Sequence, residues 1–354
     1  MHITTRGLLT RLVQPYAVLC LLASSSFLST ALAQGLPDLQ LDTALLATSV
    51  KYDLQLFDPA DPTACELQPA DLCVSGPGVR KLLRFSVLAA NRGTTDLVVG
   101  TPDTSTLNPD GSSKWVYSTC HKHFHFQTFA RYELRPRGAS DAILIGQKRS
   151  FCIEDTKKVD PTAPDQARYG CNPNGLNVQG VQVGWGDLYA SNLACQWIDV
   201  TDLGATGEYD LCVFINTAHL LPDADASNDG GCVPVTIAGP PENAVAPRLT
   251  LLSPHRKAKA RVGKRVKVAW RKRLKGDFRF VELFFSRDGG TTWQFVAASR
   301  DRKRNNFIWV PPADAVSDSA QFRVVIWAEA PDAVPGTGAY LRTARDGKPF
   351  RVVP

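Results

Sequence analysis

The chain has 354 residues, of which 44% are hydrophobic and 21% are charged. This composition is typical of a folded globular protein and excludes a disordered, charge-rich chain. The length excludes a single small disulfide scaffold and predicts about two domains, each with its own core. The net charge of +6 hides an uneven distribution. Residues 34–240 contain 15 basic and 24 acidic side chains, and residues 241–354 contain 23 basic and 10 acidic ones.

The first 33 residues have the pattern of a secretory signal peptide. Arg6 and Arg11 precede an apolar run over residues 17–23, and small residues at 31–33 form a cleavage site before Gln34. An uncleaved membrane anchor is the alternative, although the apolar run is shorter than the ~20 residues that span a bilayer. We therefore expect a secreted or otherwise extracytoplasmic protein.

The cysteines indicate both an oxidising compartment and a domain boundary. Eight of the nine lie between residues 65 and 232, and the ninth, Cys20, lies within the expected signal. An even number in an exported chain predicts up to four disulfides, although eight cysteines can pair in about 105 ways. Because the cysteines and the acidic excess both end before residue 240, we expect a disulfide-linked domain over 34–240. A linker near 239–247 and a cysteine-free basic domain over 241–354 come after it.

The predicted secondary structure is almost entirely β. Strand patterns cover residues 81–90, 121–134, 195–200 and 208–216 of the first domain, and residues 265–270, 278–285, 293–297, 307–310 and 322–327 of the second. No long amphipathic helix is predicted after the signal. We expect an all-β protein, with a loop-rich, β-sandwich-like first domain and an immunoglobulin or fibronectin type III-like β-sandwich after it.

Three of the six histidines lie within five residues, at His121, His123 and His125. Side chains alternate between the two faces of a strand, so these three imidazoles are expected on one face, where they can converge on one metal ion. Imidazole nitrogens suit copper, zinc or iron. The alternative is an exposed strand face that is rich in histidine and binds nothing.

Four separated motifs also match a known family. Residues 120–125 read Cys-His-Lys-His-Phe-His, and further motifs lie at residues 82–86, at residues 146–156 and at Tyr189 followed by residues 195–202. In this order and at these spacings they resemble the lysyl oxidases, whose copper-binding run is Cys-His-x-His-Tyr-His. The resemblance covers about residues 60–235, and Phe124 replaces the tyrosine of the family motif.

The resemblance implies a copper amine oxidase with a cofactor made from its own side chains. In that family a tyrosine is oxidised and a lysine amine adds to its ring, which gives lysyl tyrosylquinone. These positions fall on Lys148 and Tyr189 here. The implied reaction converts primary amines, such as small amines or peptidyl lysine, to aldehydes with molecular oxygen, and releases ammonia and hydrogen peroxide. Without the family context, Lys148 would be interpreted as a surface charge and Tyr189 as a half-buried aromatic residue.

The resemblance also implies three disulfides, Cys65–Cys120, Cys73–Cys195 and Cys152–Cys171. The remaining Cys212 and Cys232 can then pair with each other. A further bridge that is usual in the family would fall at Lys158 and Trp185, where both cysteines are absent together. For the base that removes the substrate proton, Asp155, Asp187 and Asp199 are candidates.

The second domain carries two further motifs. Residues 286–293 fit an Asp-box, Ser-x-Asp-x-Gly-x-x-Trp, whose role is usually structural. Residues 256–279 contain 12 basic side chains and one acidic one, so this domain is a candidate to bind an anionic envelope or matrix polymer, with a solvated basic face as the alternative. Nucleic acid is not expected as a partner of an exported protein.

Two other functional classes stay open at this point. One is a different metalloenzyme that uses the three histidines while Lys148 and Tyr189 remain separate. The other is a secreted binding protein whose first domain holds a metal for structural reasons.

Overall fold

The computed structural model describes residues 35–68, 71–103, 105–108, 111–148, 150–172, 174–204, 206–240, 247–274, 276–330 and 337–354. Residues from Gly35 onward form one compact unit. The predicted signal over residues 1–33 lies outside the described residues. Within these ranges, no helix is both long enough and apolar enough to cross a membrane.

The chain before residue 240 consists of short strands and two short helical segments. Helix α1, Thr43–Ser49, begins after Asp42, whose carboxylate accepts a hydrogen bond of 2.8 Å from the Leu45 N–H and so satisfies a free donor of the first turn. A 3-10 turn covers Cys65–Leu67. The strands are β1 Leu39–Leu41, β2 Lys51–Phe57, β3 Gly78–Arg84, β4 Val87–Asn91, β5 Leu97–Gly100, β6 Trp115–Ser118, β7 His123–Gln127, β8 Ala130–Pro136, β9 Leu144–Ile145, β10 Ser150–Phe151, β11 Lys157–Lys158, β12 Gln179–Val181, β13 Trp185–Tyr189, β14 Trp197–Asp199, β15 Gly207–Ile215 and β16 Gly230–Ile237.

These strands form small antiparallel sheets around a shared core. In the described residues their orders are β1-β4-β13-β11, β10-β7-β6, β12-β5, β14-β3-β2 and β16-β15-β8-β9. Aromatic rings make up the centre of the core. The ring centroids of Phe85 and Tyr132 are 5.0 Å apart, and those of Phe151 and Tyr189 are also 5.0 Å apart, both in edge-to-face geometry. Such pairs add to the stabilisation from burial alone.

The predicted strand over residues 121–134 is interrupted at two places. Lys122 and Thr128 have φ values of 60° and 59°, in the left-handed region, which an extended strand cannot contain. Strand β7 therefore begins at His123 and ends at Gln127, and His121 lies in the preceding turn. The prediction of one continuous strand over residues 121–134 was therefore wrong. A residue in the left-handed conformation turns the backbone, so the side chains that follow it no longer continue the alternation of the strand.

Four disulfides connect the loops of this part of the chain. They are Cys65–Cys120, Cys73–Cys195, Cys152–Cys171 and Cys212–Cys232, the same four pairs that the sequence analysis gives. Their sequence separations of 55, 122, 19 and 20 residues restrict the unfolded chain, which stabilises a fold with such short strands.

The chain after residue 247 forms a β-sandwich. A 3-10 turn covers Ala313–Ala315. The strands are β17 Arg248–Ser253, β18 Lys259–Arg261, β19 Val266–Arg273, β20 Asp277–Ser286, β21 Gln294–Ser299, β22 Asn306–Trp309, β23 Ser317–Glu329, β24 Tyr340–Asp346 and β25 Phe350–Val353.

Two sheets enclose the core of this sandwich. One has the order β17-β19-β22, and the other has the order β18-β25-β23-β20-β21 with β24 also paired to β23. Val268 and Trp270 of the first sheet pack against Phe285 and Phe322 of the second, and all four are buried. The predicted all-β fold class with a sandwich after the disulfide-linked part is confirmed.

The Asp-box lies in the turn between β20 and β21. The Asp288 carboxylate accepts hydrogen bonds from the Thr291 and Thr292 N–H groups at 3.0 and 2.9 Å, and the Ser286 hydroxyl donates to it at 2.7 Å. These bonds lower the pKa of Asp288, with the Thr292 hydroxyl as the first contributor. The hydrogen bonds of the Asp-box therefore stabilise the turn that contains it.

Strands β20 and β23 also pack against the first part of the chain. Their outward residues Phe280 and Trp327 contact Leu54 of β2 and Val79 of β3 in a second apolar cluster. At its centre the buried Glu282 carboxylate accepts hydrogen bonds from the Val79 N–H at 2.7 Å and the Trp327 indole N–H at 2.6 Å. The sheet that contains β20 and β23 is therefore buried on both faces, and the boundary near residue 240 stays a prediction.

Close packing at this interface requires glycine at position 78. Gly78 has a φ of 105°, and a Cβ there would lie 2.7 Å from the Glu282 Oε1 atom. Any side chain would displace the carboxylate and strain the backbone as well.

We predict that Glu282→Ala lowers the free energy of unfolding by about 2–5 kcal/mol, because two buried donors each lose an acceptor, at about 1–3 kcal/mol per group. Guanidinium unfolding of the full chain measures this. Glu329→Ala is the control, since the Glu329 carboxylate pairs with the exposed Arg279 side chain, and a loss below about 1 kcal/mol is expected. Equal losses in the two variants would show that Glu282 does not hold the interface.

Candidate metal centre

The three histidines converge although they do not share one strand. His123 and His125 are two residues apart on β7 and therefore lie on the same face of the strand. His121 extends toward these two rings from the turn that precedes β7. The His125 Nε2 atom lies 3.0 Å from His123 Nε2 and 3.3 Å from His121 Nδ1. Two imidazole nitrogens have such separations when both bind one ion at roughly 2.0–2.1 Å. The arrangement therefore fits a metal.

Neighbouring groups hold the ring of His125 and the backbone at His121. His125 Nδ1 lies 3.1 Å from the hydroxyl of Ser150, which β10 carries beside β7. The His121 backbone N–H donates to the Ser118 hydroxyl at 3.0 Å, and that hydroxyl donates to the Asp71 carboxylate at 2.9 Å, so these bonds hold the turn that carries His121. The contact with Ser150 is of the kind that selects the tautomer and the direction of a ligating imidazole.

Burial favours the neutral form of His123 and His125, which is the form of imidazole that binds metals. His125 is only 4% exposed, and burial, followed by repulsion from His123, Lys148 and His121, lowers its pKa to about 3. Burial also lowers the pKa of His123. A second group, Cys152, Glu154 and Cys171, has ligand atoms close together, but both of its sulfur atoms are in a disulfide.

Lys148 lies between the triad and Tyr189. Its Nζ atom is 5.2 Å from the centroid of the Tyr189 ring and 5.0 Å from that of Phe151. Burial lowers the pKa of Lys148 to about 8, although Asp187 and Asp71 oppose the shift. The structure thus brings together two residues that are 41 positions apart, and much of the lysine is neutral near pH 8.

Tyr189 is held at the end of β13. Its side chain is 9% exposed, and its hydroxyl donates a hydrogen bond to the Cys152 carbonyl. Burial raises the pKa of Tyr189 well above its usual value, and the Asp187 carboxylate adds to the effect. The Cys152–Cys171 disulfide adjoins this contact, so it fixes the loop against which the ring packs.

Of the three candidate bases, only Asp187 belongs to this site. It lies two residues before Tyr189 on β13 and hence on the same face, and it is 1% exposed. Within the described residues its Oδ2 atom has no hydrogen-bond partner. Burial raises its pKa well above the usual value, the nearby Glu154 adds to this, and Lys148 opposes it.

The other two candidates are used by the fold. Asp155 accepts hydrogen bonds from three backbone N–H groups and from the side-chain amide of Gln182. Asp199 accepts bonds from the hydroxyls of Ser75 and Thr201. Both carboxylates hold loops together.

A cavity of about 500 Å³ gives access to His121, His125 and Lys148. Its lining residues are Asp71, Leu72, Val116, His121, His125, Gln127, Gln147, Lys148, Ser150 and Cys195. The sequence analysis missed Asp71, Gln147 and Ser150 as site residues. Gln147 and Ser150 lie in the motif at residues 146–156 and could have been found from their spacing to Lys148. Asp71 lies in none of the motifs, so the sequence gives no indication that it belongs to the site.

The two positions of the absent family disulfide are neighbours. Lys158 of β11 is the cross-strand partner of Trp185 of β13. The Trp185 indole instead donates to the Pro164 carbonyl at 2.9 Å, and the Lys158 ammonium pairs with Asp165 at 2.7 Å. Other contacts therefore fasten the strand that carries Tyr189.

Comparisons with known proteins find related sequences over the first part of the chain. The family model for lysyl oxidase matches residues 63–239, half of the chain. Human lysyl oxidase homolog 4 is 39% identical over 153 residues, which are 43% of this chain and 18% of the relative. The protein-lysine 6-oxidases of rat and pig are each 32% identical to this chain over 202 residues, which are 55% of this chain. The matched region is 45% of the rat protein and 74% of the pig protein.

The chain spans less than half the length of the human and rat relatives. Among solved structures, fibronectin(III)-like modules of Clostridium thermocellum CbhA align with 10% identity and a TM-score of 0.22 over 65% of this chain and 83% of theirs. A similarity of this size does not establish a shared architecture.

We predict that His123→Ala abolishes stoichiometric copper binding, because two imidazoles cannot complete the site. Elemental analysis of protein purified with copper gives the metal content per chain. His255→Ala is the control, since His255 is an exposed residue outside the triad, and it should retain the metal. Full copper content in His123→Ala would mean that the triad is not the site.

Proposed function

Because the chain belongs to the lysyl oxidase family, we propose that it is an exported copper amine oxidase. The proposed reaction converts a primary amine, oxygen and water to an aldehyde, ammonia and hydrogen peroxide. The observation that carries the proposal is the position of the Lys148 amine. It lies 5.2 Å from the Tyr189 ring centroid, and Lys148 lines the same cavity as His121 and His125. Neither residue alone would suggest this chemistry.

His121, His123 and His125 are the proposed copper ligands, and Lys148 and Tyr189 are the proposed precursors of lysyl tyrosylquinone. Copper and the quinone would supply the oxidising power and the electron sink that amino-acid side chains lack. Oxygen serves as the oxidant both for the tyrosine and for turnover. The lowered pKa of Lys148 supports its part, since only a neutral amine has the lone pair that adds to a ring.

Asp187 is the proposed acceptor of the proton from the carbon beside the substrate nitrogen. It shares a strand face with Tyr189, it has one oxygen without a partner in the described residues, and its burial makes it a stronger base than an exposed carboxylate. Asp155 and Asp199 cannot take this part because the fold already uses their oxygens.

Cationic amines, including peptidyl lysine, are the proposed substrates. Asp71 is the carboxylate among the cavity-lining residues, and residues 34–240 carry an excess of nine negative charges, which attracts cations. The name protein-lysine 6-oxidase describes an activity of the relatives on protein lysine, and this chain is proposed to share that substrate class.

Export and domain division are further parts of the proposal. Four disulfides are typical of proteins that mature outside the reducing cytosol. Residues 34–240 hold every proposed ligand and cofactor residue, and residues 241–354 form the basic domain, whose sandwich covers β2 and β3.

We predict that Lys148→Arg and Tyr189→Phe each bind copper but form no crosslink. Arginine keeps the charge without a neutral amine, and phenylalanine lacks the phenolic oxygen at which oxidation begins. Peptide mass analysis after maturation with copper and oxygen should show a joined Lys148 and Tyr189 peptide only in the unsubstituted protein. Lys157→Arg and Tyr117→Phe are exposed controls that should keep the crosslink and peroxide release.

Separate, unmodified Lys148 and Tyr189 peptides in copper-loaded wild-type protein, with no peroxide from primary amines, would contradict the proposal. A metal-binding protein, or a metalloenzyme that uses only the triad, would then be the better description.

We predict that Asp187→Asn lowers the rate of amine oxidation by about 10²–10⁴-fold, the usual contribution of a general base. The amide keeps the shape of the carboxyl group but cannot accept the proton. The crosslink, measured as the coloured phenylhydrazine adduct, should still form, and the kinetic isotope effect with an α-deuterated amine should increase. Asp202→Asn, at an exposed position, should change neither quantity. A fall in rate without any change in the isotope effect would assign Asp187 a structural part instead.

A further inference from the structure

One face of the C-terminal sandwich carries basic side chains that the proposed oxidase does not use. It is the outer face of the β17-β19-β22 sheet, and we refer to it as the basic face. Its charged members are exposed, and polar and apolar side chains lie between them. The basic face consists of Arg248, Thr250, Leu252, Lys267, Ala269, Arg271, Arg273, Asn306 and Ile308.

The basic face points away from the first part of the chain. The inner residues of the same strands, such as Val268 and Trp270, fill the sandwich core. The opposite sheet, which contains β20 and β23, packs against β2 and β3. The sandwich therefore presents its basic sheet outward, on the side opposite the acidic part of the chain.

The cations of this face differ from other cations of the sandwich in their ion pairing. Elsewhere in the sandwich, Arg323 and Arg351 pair with Asp346 and Asp318 at 2.6 and 2.7 Å. Within the described residues, the four basic side chains of the basic face form no ion pair, and the face contains no acidic residue. Their charges are available to a ligand.

The arrangement of these cations does not serve the stability of the sheet. Arg248 of β17 is the direct cross-strand partner of Arg273 of β19, and like charges in that position are destabilising. Arg271 lies two residues from Arg273 on the same face, at about 6.7 Å along the strand. The result is a row of positive charges that an extended chain of anions would neutralise.

We propose that the basic face binds a linear anionic polysaccharide. Arginine guanidinium groups pair with sulfate and carboxylate groups through two parallel hydrogen bonds, and three of the four cations are arginines. Thr250 and Asn306 offer hydrogen bonds to sugar hydroxyls, and the exposed Leu252 and Ile308 offer apolar contact to sugar rings. Exposed Arg302, Lys303 and Arg304 also lie in the loop that precedes β22.

Two other anionic partners fit the surface less well. Proteins that lie on membranes insert an apolar face roughly 5–10 Å into the headgroup region, whereas the apolar residues here are separate side chains on a flat sheet. Single-stranded nucleic acids are usually bound by aromatic side chains on which bases stack, and the basic face has none. The polysaccharide is therefore the occupant that the observations favour.

This binding surface is independent of the metal cavity and of the proposed oxidation. Binding at the basic face would hold the full chain on a polysaccharide-rich surface and leave the cavity in the first part of the chain free. Binding should weaken as the ionic strength rises, because exposed charge pairs are screened by salt.

The test measures binding of a fluorescein-labelled heparin oligosaccharide to the full chain by fluorescence anisotropy at 0.1 M and 0.3 M NaCl. The triple variant Arg248→Gln, Arg271→Gln and Arg273→Gln should bind roughly tenfold more weakly or worse, with a smaller salt dependence. The matched control, Lys51→Gln, Arg92→Gln and Lys157→Gln, removes the same charge from exposed positions of the first part and should change binding by less than about twofold.

Replacing the same three arginines with lysine should restore only part of the binding lost in the glutamine variant, because lysine keeps the charge without the two parallel hydrogen bonds. Cooperative thermal unfolding of all variants excludes misfolding. Equal weakening in the two glutamine triples would overturn the assignment to this face, and so would no binding by the wild type. If phosphatidylglycerol vesicles or single-stranded DNA bind more tightly than heparin and lose that binding in the basic-face triple, the polysaccharide is the wrong partner. None of these results depends on oxidase activity.

Discussion

The burial of several nitrogen bases in one small volume is the constraint on which the site depends. Three imidazoles and the Lys148 amine lie close together. Desolvation disfavours the protonated forms of His123, His125 and Lys148, and repulsion from neighbouring groups adds to this at the two histidines. Each nitrogen in its neutral form has a lone pair, which a metal ion or an oxidised ring requires. In an exposed loop the same residues would hold protons that block this chemistry.

The site residues are held in place by hydrogen bonds and disulfides between distant segments rather than by long helices or strands. Lys148 lies in the irregular segment between β9 and β10, and Tyr189 lies at the end of β13. The Tyr189 hydroxyl bonds to the Cys152 carbonyl, and the Cys152–Cys171 disulfide fastens that loop. The Cys65–Cys120 disulfide does the same beside His121. Short strands suffice because covalent bonds limit the freedom of the loops between them.

The C-terminal sandwich has two distinct surfaces. One sheet is buried on both sides and joins the first part of the chain through Glu282 and an apolar cluster. The other sheet is apolar inside and basic outside. The positive charge of residues 241–354 is thus partly concentrated on the sheet that faces away from the contact with β2 and β3.

The sequence by itself determined the all-β class, the histidine cluster and the division of charge, because these depend on residue types and short spacings. The family resemblance extended this to the cysteine pairs and to Lys148 and Tyr189. Only the tertiary structure decided that His121 projects from a turn, since the left-handed residue Lys122 interrupts a strand that alternation alone would continue. The tertiary structure also distinguished the three aspartates that were candidates for the base. Asp155 and Asp199 accept hydrogen bonds that hold loops together, whereas one Asp187 oxygen has no hydrogen-bond partner within the described part of the chain. Burial and hydrogen bonding at these positions depend on segments far apart in the chain, and for this reason local patterns could not determine them.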